Sequence, residues 1–374
     1  MENILNVNIE QFKDNMINHI IDVVKIPSVE GVAKENMPFG ENVNIALERA
    51  LEISQELGFK TKNIDGYIGY AQYGEGEDYV GVFGHLDVVP VEDGWINPPF
   101  SGHIENGKIY SRGVLDNKGP IMSALYALYA IKESGLKLTK PVRIVFGTDE
   151  ETGFEDLKYY LTKEKPPIMG FTPDCKYPVV YGERGRAKVE VSVDLNDSSR
   201  EVLTKEFFDF VNEYFLTSNK NGDRLGIDFV DNEFGTMEMR GYNLSVEEEK
   251  LKFMVVLSYP TVCTIDEIVE KIKSKTTSNL SVDILQNYDP VKFEKDCFMV
   301  RCMQDAYEEI TGLDGTPVTT TGGTYAKAMP NIVPFGPSFP GQKGIAHNPN
   351  EYMDISDIIL NAKIYAQALY KLAK

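Results

Sequence analysis

Two histidines and a handful of carboxylates carry most of the chemistry this chain could do. His85 and Asp87 are separated by one residue. In an extended segment, residues two apart share a face, so Asp87 can accept the second imidazole N–H of His85, fixing the tautomer and raising its basicity as a ligand. Asp116 lies in the run from Arg112 to Pro120, just ahead of a predicted helix. Glu150 and Glu151, preceded by Asp149, close an apolar strand. Like charges crowded there need a cation or full solvation, and strand C-terminal ends are where open α/β sheets bind ligands. Asp174 ends Phe171-Thr172-Pro173-Asp174, and His347 lies near the C-terminus. Singly, each has a plainer reading: an ordinary His–Asp hydrogen bond, a helix-capping aspartate, a solvated turn. Together they match a two-metal hydrolytic site. Zinc takes imidazole nitrogen and carboxylate oxygen. Two ions about 3.5–4 Å apart can share a bridging carboxylate and a bridging water, and one more carboxylate must stay off the metals to take the water's proton. On this reading His85, Asp116, Glu151, Asp174 and His347 are the ligands and Glu150 is the base. The two remaining histidines, His19 on an amphipathic helix and His103 in a turn-rich block, read as structural and surface residues.

These residues need a scaffold, and the hydrophobic periodicity supplies one. Ile9, Phe12, Met16, Ile20 and Val23-Val24 recur at helical spacing until Pro27, and a second helix spans about 41–57, ended by Gly58. Short strands follow at 67–73 and 79–83, the second running straight into His85. Pro120 falls in the first turn of an apolar helix, where its missing N–H costs nothing, and Val142–Phe146 reads as a buried strand. Strands alternating with helices predict an α/β fold whose sheet has covered faces. From about Ala187 the pattern changes to strand (188–195), helix (200–215), two strands (234–240 and 250–258), helix (265–275) and strand (281–288). That β-α-β-β-α-β order is the split ferredoxin-like unit. A helix over 291–310, a Gly/Thr-rich loop, a short strand and a final helix from Ile355 complete the chain. The predicted organisation is a discontinuous domain, residues 1–186 plus 291–374, with an insert at 187–290.

The 374 residues allow about two domains. A formal net charge of -19 disfavours nucleic acid and anionic membrane surfaces as partners. No run approaches the roughly 18 apolar residues of a membrane span, and the start is polar and acidic. Cys175, Cys263, Cys297 and Cys302 form no Cys-x-x-Cys pair, which fits a reducing compartment. The expectation is a soluble cytoplasmic protein.

At this level of detail the chain resembles a known family, the co-catalytic zinc peptidases that include aminoacylases, carboxypeptidase G and succinyl-diaminopimelate desuccinylase. Within it the chain looks most like the bacterial dipeptidase V branch, which acts on Xaa-Xaa and β-alanyl dipeptides. The stretches that carry the resemblance are Gly84-His85-Leu86-Asp87-Val88-Val89-Pro90, Trp95 with Pro98-Pro99-Phe100, Gly107 to Gly113, Asp116-Asn117-Lys118-Gly119-Pro120, Asp149-Glu150-Glu151-Thr152-Gly153, Phe171 to Asp174, Gly322-Gly323-Thr324-Tyr325-Ala326 and His347. They occur in order across nearly the whole chain. The resemblance implies a mixed-sheet zinc-peptidase catalytic domain with an inserted ferredoxin-like α+β lid. It implies that His85 and Asp174 hold one zinc, that Glu151 and His347 hold the other, and that Asp116 bridges. Asp87 orients His85, Glu150 is general base and acid, and Gly322, Gly323 and Thr324 line the substrate pocket. Two zinc ions are the implied cofactors, with manganese or cobalt as alternatives. The partner is a small peptide or N-acyl amino acid, and the protein a monomer or homodimer.

Two departures stand out. The family carries an oxyanion-stabilising histidine after the first lid strand, where this chain reads Leu195-Asn196-Asp197-Ser198-Ser199, and the lid has no histidine at all. The family also carries a carboxylate-binding arginine before Tyr-Pro, where Ser258 stands here. Losing one oxyanion donor costs on the order of 100- to 1000-fold in rate. Two expectations follow: a two-zinc hydrolase of peptide or N-acyl amide bonds, and alternatively a metal-binding relative with weak hydrolysis or a changed substrate class. Arg184, Arg186 and Arg240 are candidate replacements for the lost donor, although no spacing singles one out and each also reads as a surface or structural arginine.

Overall fold

The computed structural model describes residues 2–195 and 199–374; residues 196–198, where the family resemblance places a histidine, lie outside the described residues. The chain divides into two compact units. The first comprises Met1–Tyr181, Glu294–Val318 and Thr324–Lys374; the second comprises Gly182–Phe293 and Thr319–Gly323.

The first unit opens with helices Glu2–Val24 (α1) and Glu41–Glu56 (α2). Strands Lys60–Ile64 (β1), Ile68–Tyr73 (β2) and Val80–His85 (β3) follow. Helix Lys118–Glu133 (α3), strand Val142–Gly147 (β4), helix Glu155–Lys163 (α4) and strand Met169–Thr172 (β5) complete this half. β3 and β4 are buried at every residue, as parallel strands covered on both faces must be. α3 starts two residues before Pro120, whose missing N–H therefore falls among the unpaired donors of the first turn. α3 is buried on almost all sides because α1 and the C-terminal helix pack against it.

The second unit carries strands Gly185–Asp194 (β6), Glu238–Glu247 (β7), Lys250–Tyr259 (β8) and Ser281–Tyr288 (β9), with helices Arg200–Val211 (α5) and Ile265–Lys273 (α6). The sheet order β7-β8-β6-β9 is antiparallel throughout, which is the ferredoxin-like arrangement. Its core draws Val189, Val191 and Val255 from the strands and Phe207, Phe210 and Ile268 from the helices. The second strand lies further along the chain than the predicted 234–240. Gly235–Thr236 instead closes a short ribbon with Val230–Asp231, and β7 continues to Glu247 through a bulge at Gly241.

Returning to the first unit, helix Phe298–Thr311 (α7) starts seven residues later than the predicted 291, because Val291–Lys292 is a short strand. Strand Ile332–Pro334 (β10) pairs parallel with β5, and helix Ile355–Ala373 (α8) ends the chain. The main sheet thus runs β1-β2-β4-β3-β5-β10, antiparallel at the β1 edge and parallel from β4 onward. Among the described residues no helix is long and apolar enough to cross a membrane.

Candidate metal centre

The sheet order creates the site. From β3 the chain crosses to β4 on one side, then returns to β5 on the other, so three parallel strands end together at a switch point, where α/β sheets bind ligands. His85 is the last residue of β3; Glu150 and Glu151 follow β4; Asp174 lies two residues past β5. Asp116 arrives from the loop before α3 and His347 from the loop before α8.

Asp116 occupies the middle. Its Oδ1 lies 3.0 Å from His85 Nε2 and its Oδ2 lies 3.0 Å from His347 Nε2. Asp174 Oδ2 approaches His85 Nε2 to 3.7 Å, and Glu151 Oε1 approaches His347 Nε2 to 3.0 Å. Two donor sets result, His85–Asp116–Asp174 and Asp116–Glu151–His347, each with its donor atoms within 4.8 Å of one another and both containing Asp116. His85 Nδ1 faces the other way, 2.9 Å from the Asp87 carbonyl oxygen and 3.4 Å from its Oδ1. A ring that donates from Nδ1 presents the Nε2 lone pair to the donor set. Nitrogen and oxygen donors of this kind, grouped twice around one shared carboxylate, fit a pair of zinc-like ions.

The surrounding loops are tied by side chains far apart in sequence. Asn117 donates from Nδ2 to the Pro173 carbonyl at 2.6 Å and accepts at Oδ1 from the His85 N–H at 3.4 Å, joining the ends of β3 and β5. Gly84 is obligatory beside it, since a Cβ there would collide with Asn117 Oδ1. Buried Glu351 accepts at Oε1 from the Leu115 and Asp116 N–H groups, at 2.9 and 3.2 Å, and pairs at 2.8 Å with buried Arg112. Asp87 Oδ2 accepts from the Glu151 N–H at 3.0 Å. Buried Asp156 accepts at Oδ2 from the Thr148 and Asp149 N–H groups, at 2.8 and 3.2 Å, and from the Tyr325 hydroxyl. Sequence reading missed Glu351, Arg112, Asn117, Asp156 and Tyr325 as supports; only the motif membership of Arg112, Asn117 and Tyr325 hinted at them.

The electrostatics are those of buried carboxylates crowded around two histidines. Burial and the Asp174 charge push Glu150 well above the usual carboxylate range, and burial and the Asp116 charge do the same for Asp174. Burial also raises Glu151, although His347 pulls it down. For Asp116, burial acts upward, but hydrogen bonds from His347 and His85 outweigh it and hold the group below its ordinary range. Burial lowers His85, yet Asp116 and Asp87 prevail and raise it; Asp116 and Glu151 raise His347 to about 10.

The remaining sequence candidates are not members of the two donor sets. His19 accepts or donates at Nδ1 with the Tyr126 hydroxyl at 2.8 Å, and His103 is exposed on a short strand. Thr324 caps the turn Tyr325–Lys327, its hydroxyl accepting from the Ala326 N–H, and the Gly322 N–H donates to Thr320 Oγ1 at 3.3 Å. Arg184 donates from Nε to the Phe234 carbonyl at 2.6 Å, and Arg240 donates from Nε to Glu238 at 2.6 Å and from Nη1 to the Thr321 carbonyl, beside Gly322, at 3.3 Å.

An α/β domain with a paired metal-donor cluster at its switch point and a ferredoxin-like insert defines a metallopeptidase, a hydrolytic enzyme. The chain belongs to peptidase family M20/M25/M40, whose sequence model matches residues 81–371. Among curated relatives, YtjP of Bacillus subtilis (strain 168) is 29% identical over 456 aligned positions, covering 97% of this chain and 98% of that protein. A Beta-Ala-Xaa dipeptidase of Lactobacillus delbrueckii subsp. lactis is 27% identical, covering 98% of this chain and 97% of that protein. The fold is shared with human carnosine dipeptidase 1 (TM-score 0.71, 14% identity, 98% of each chain). It is shared also with Bacillus subtilis YXEP, a dinuclear metal binding peptidase (TM-score 0.63, 12% identity, 97% of this chain and 99% of that one).

Proposed function

We propose that this chain is a two-zinc dipeptidase that cleaves the peptide bond, or a related N-acyl amide bond, of small substrates. The observation that carries the reading is Asp116, with its two carboxylate oxygens each 3.0 Å from the Nε2 of a different histidine. In this reading His85 and Asp174 hold one ion, Glu151 and His347 hold the other, and Asp116 is shared. The name of the Lactobacillus relative supports a dipeptide as substrate. Bound zinc would supply Lewis acidity at the scissile carbonyl and lower the pKa of water. Glu150 is the general base: its carboxylate takes a proton from the attacking water and returns it to the departing amine nitrogen as the C–N bond breaks. Asp87 holds the His85 ring, and Gly322, Gly323 and Thr324 form the substrate-binding segment. The four cysteines, none of them in a disulfide, fit a cytoplasmic, reducing setting.

The test is metal analysis joined to a panel of dipeptides and N-acyl amino acids, run on wild type and Glu150→Gln. Two bound divalent ions are expected in both proteins, with kcat reduced by about 100- to 10,000-fold in the variant. A protein that bound no divalent metal and cleaved nothing on the panel would sink the reading, as would equal activity in the two proteins.

One observation favours a second reading, a shifted substrate class. Ser258 is buried at 3% exposure, in the place where the resemblance expects an arginine for the substrate carboxylate. Substrates with an amidated C-terminus would then be cleaved as well as free dipeptides. A strong preference for the free carboxylate on the same panel rejects this version.

A further inference from the structure

Glu150 stands between two backbone clamps. On its C-terminal side, the Glu151 N–H donates to Asp87 Oδ2 at 3.0 Å. On its N-terminal side, the Thr148 and Asp149 N–H groups both donate to Asp156 Oδ2, at 2.8 and 3.2 Å. That same oxygen accepts from the Tyr325 hydroxyl, and Asp156 Oδ1 accepts from the Leu157 N–H at 2.6 Å. Asp149 locks the same turn in reverse, accepting at Oδ2 from the Glu155 N–H at 2.8 Å. The Tyr325 side chain continues past this clamp. Its ring stands edge-on to the His85 imidazole, with centroids 6.3 Å apart at 83°, and edge-on to Phe154 at 5.6 Å. Its hydroxyl lies so close to the end of β4 that a Cβ on Gly147 would collide with it.

Both partners are fully buried. Burying a hydroxyl and a carboxylate costs free energy that a phenylalanine against an apolar residue would not incur, so packing alone does not call for this pair. What the pair does is join the strand end before Glu150 to the ring that backs His85. A proton-transferring carboxylate must be held within about 0.5 Å of its productive position, and this rests on the second layer of contacts. We propose that Tyr325 is a positioning residue: through Asp156 it fixes the backbone that aims Glu150, and through its ring it fixes the plane of His85. The inference rests on the reading of Glu150 as the base.

The experiment compares Tyr325→Phe, Glu150→Gln and the double variant on the dipeptide that wild type cleaves fastest, with metal content and urea midpoint measured on each. Tyr325→Phe keeps the ring against His85 and removes only the hydroxyl. The expected result is a kcat lower by about 10- to 100-fold, a KM within about twofold of wild type, and an unchanged metal count. In the Glu150→Gln background the same substitution is expected to cost nothing further, because the group it aims is already disabled. A purely structural tyrosine would lower both backgrounds alike. Wild-type kcat in Tyr325→Phe, a loss carried by KM, or an equal further loss in the double variant overturns the inference. If Glu150→Gln itself matches wild type, it is the functional reading that falls, and the inference falls with it. Should Tyr325→Phe fail to fold, Asp156→Asn weakens the same clamp by replacing one of its two acceptor oxygens with an amide N–H₂, and the same outcomes decide.

Discussion

Asp87 serves two neighbours with one residue. Its carbonyl and carboxylate both face His85 Nδ1, while its other carboxylate oxygen accepts from the Glu151 N–H. It therefore orients a ligand of one donor set and the backbone of a ligand in the other, without contributing a donor atom to either. Groups placed this way usually govern metal affinity by about 10- to 100-fold. Asp87→Ala is expected to weaken metal binding by that factor, read by competition with a chromophoric chelator. Wild-type affinity would show that the backbone carbonyl alone suffices to hold the ring. The contrast with Glu150 is diagnostic, since Glu150→Gln removes turnover and leaves the metal, whereas Asp87→Ala loosens the metal first.

At the scale of elements, the site depends on loops pinned from a distance. Glu351 holds the Leu115–Asp116 backbone across 236 and 235 residues of sequence, and it neutralises Arg112, which is as buried as Glu351 itself. Removing one partner of a buried pair strands the other's charge at a cost of about 3–5 kcal/mol. Glu351→Ala is therefore expected to lower the unfolding free energy by about that amount in urea melts of the metal-free protein; a change under about 1 kcal/mol would mean Arg112 finds another anion. Such pins explain what the sequence could and could not disclose. Strands ending in His85 or in Glu150-Glu151 leave local marks, because an apolar run stops at a charged residue, and the β-α-β-β-α-β order of the insert is written in alternating periods. Glu351, Asp156 and Asn117 act through single long-range hydrogen bonds, which have no period and leave no local signal. The spacing predicts β7 too early in the chain for a related reason: Gly241 bulges there, and the apolar residues beyond it, Tyr242, Leu244 and Val246, lie exposed on a sheet edge and do not read as core.

For the molecule as a whole, metal, protons and stability are linked. Without metal, Glu150, Glu151 and Asp174 are raised by burial and mutual repulsion, and His85 and His347 are raised by the acids they face. The two kinds of shift act on the fold in the same direction. A carboxyl whose pKa is raised on folding favours the fold below its unfolded pKa, near 4, and loses that contribution as pH climbs through the raised value. A raised histidine contributes fully below about 6.5 and loses its contribution as pH climbs toward the folded value, about 10 for His347. Asp149, Asp156 and Glu351, pushed up by burial to about 6, about 7 and about 7, add to the same trend. Asp116 runs oppositely, but its depressed pKa matters only below about pH 4; burial lowers His19 and brings Lys118 down to about 7, and these two oppose the trend but are outnumbered by the raised groups. The metal-free protein is therefore expected to lose melting temperature steadily from pH 5 to pH 8. Divalent ions require these ligands deprotonated, so their binding releases protons, and apparent affinity is expected to rise by at least about tenfold per pH unit over that range. The net charge of -19 acts in the same sense at longer range, drawing cations toward the protein in a salt-dependent way. Calorimetric titration with zinc in two buffers of different ionisation enthalpy counts the protons released directly. An affinity flat from pH 5 to pH 8, or a metal-free melting temperature that rises over it, would mean that the donors are already deprotonated and that burial does not hold protons in this cluster.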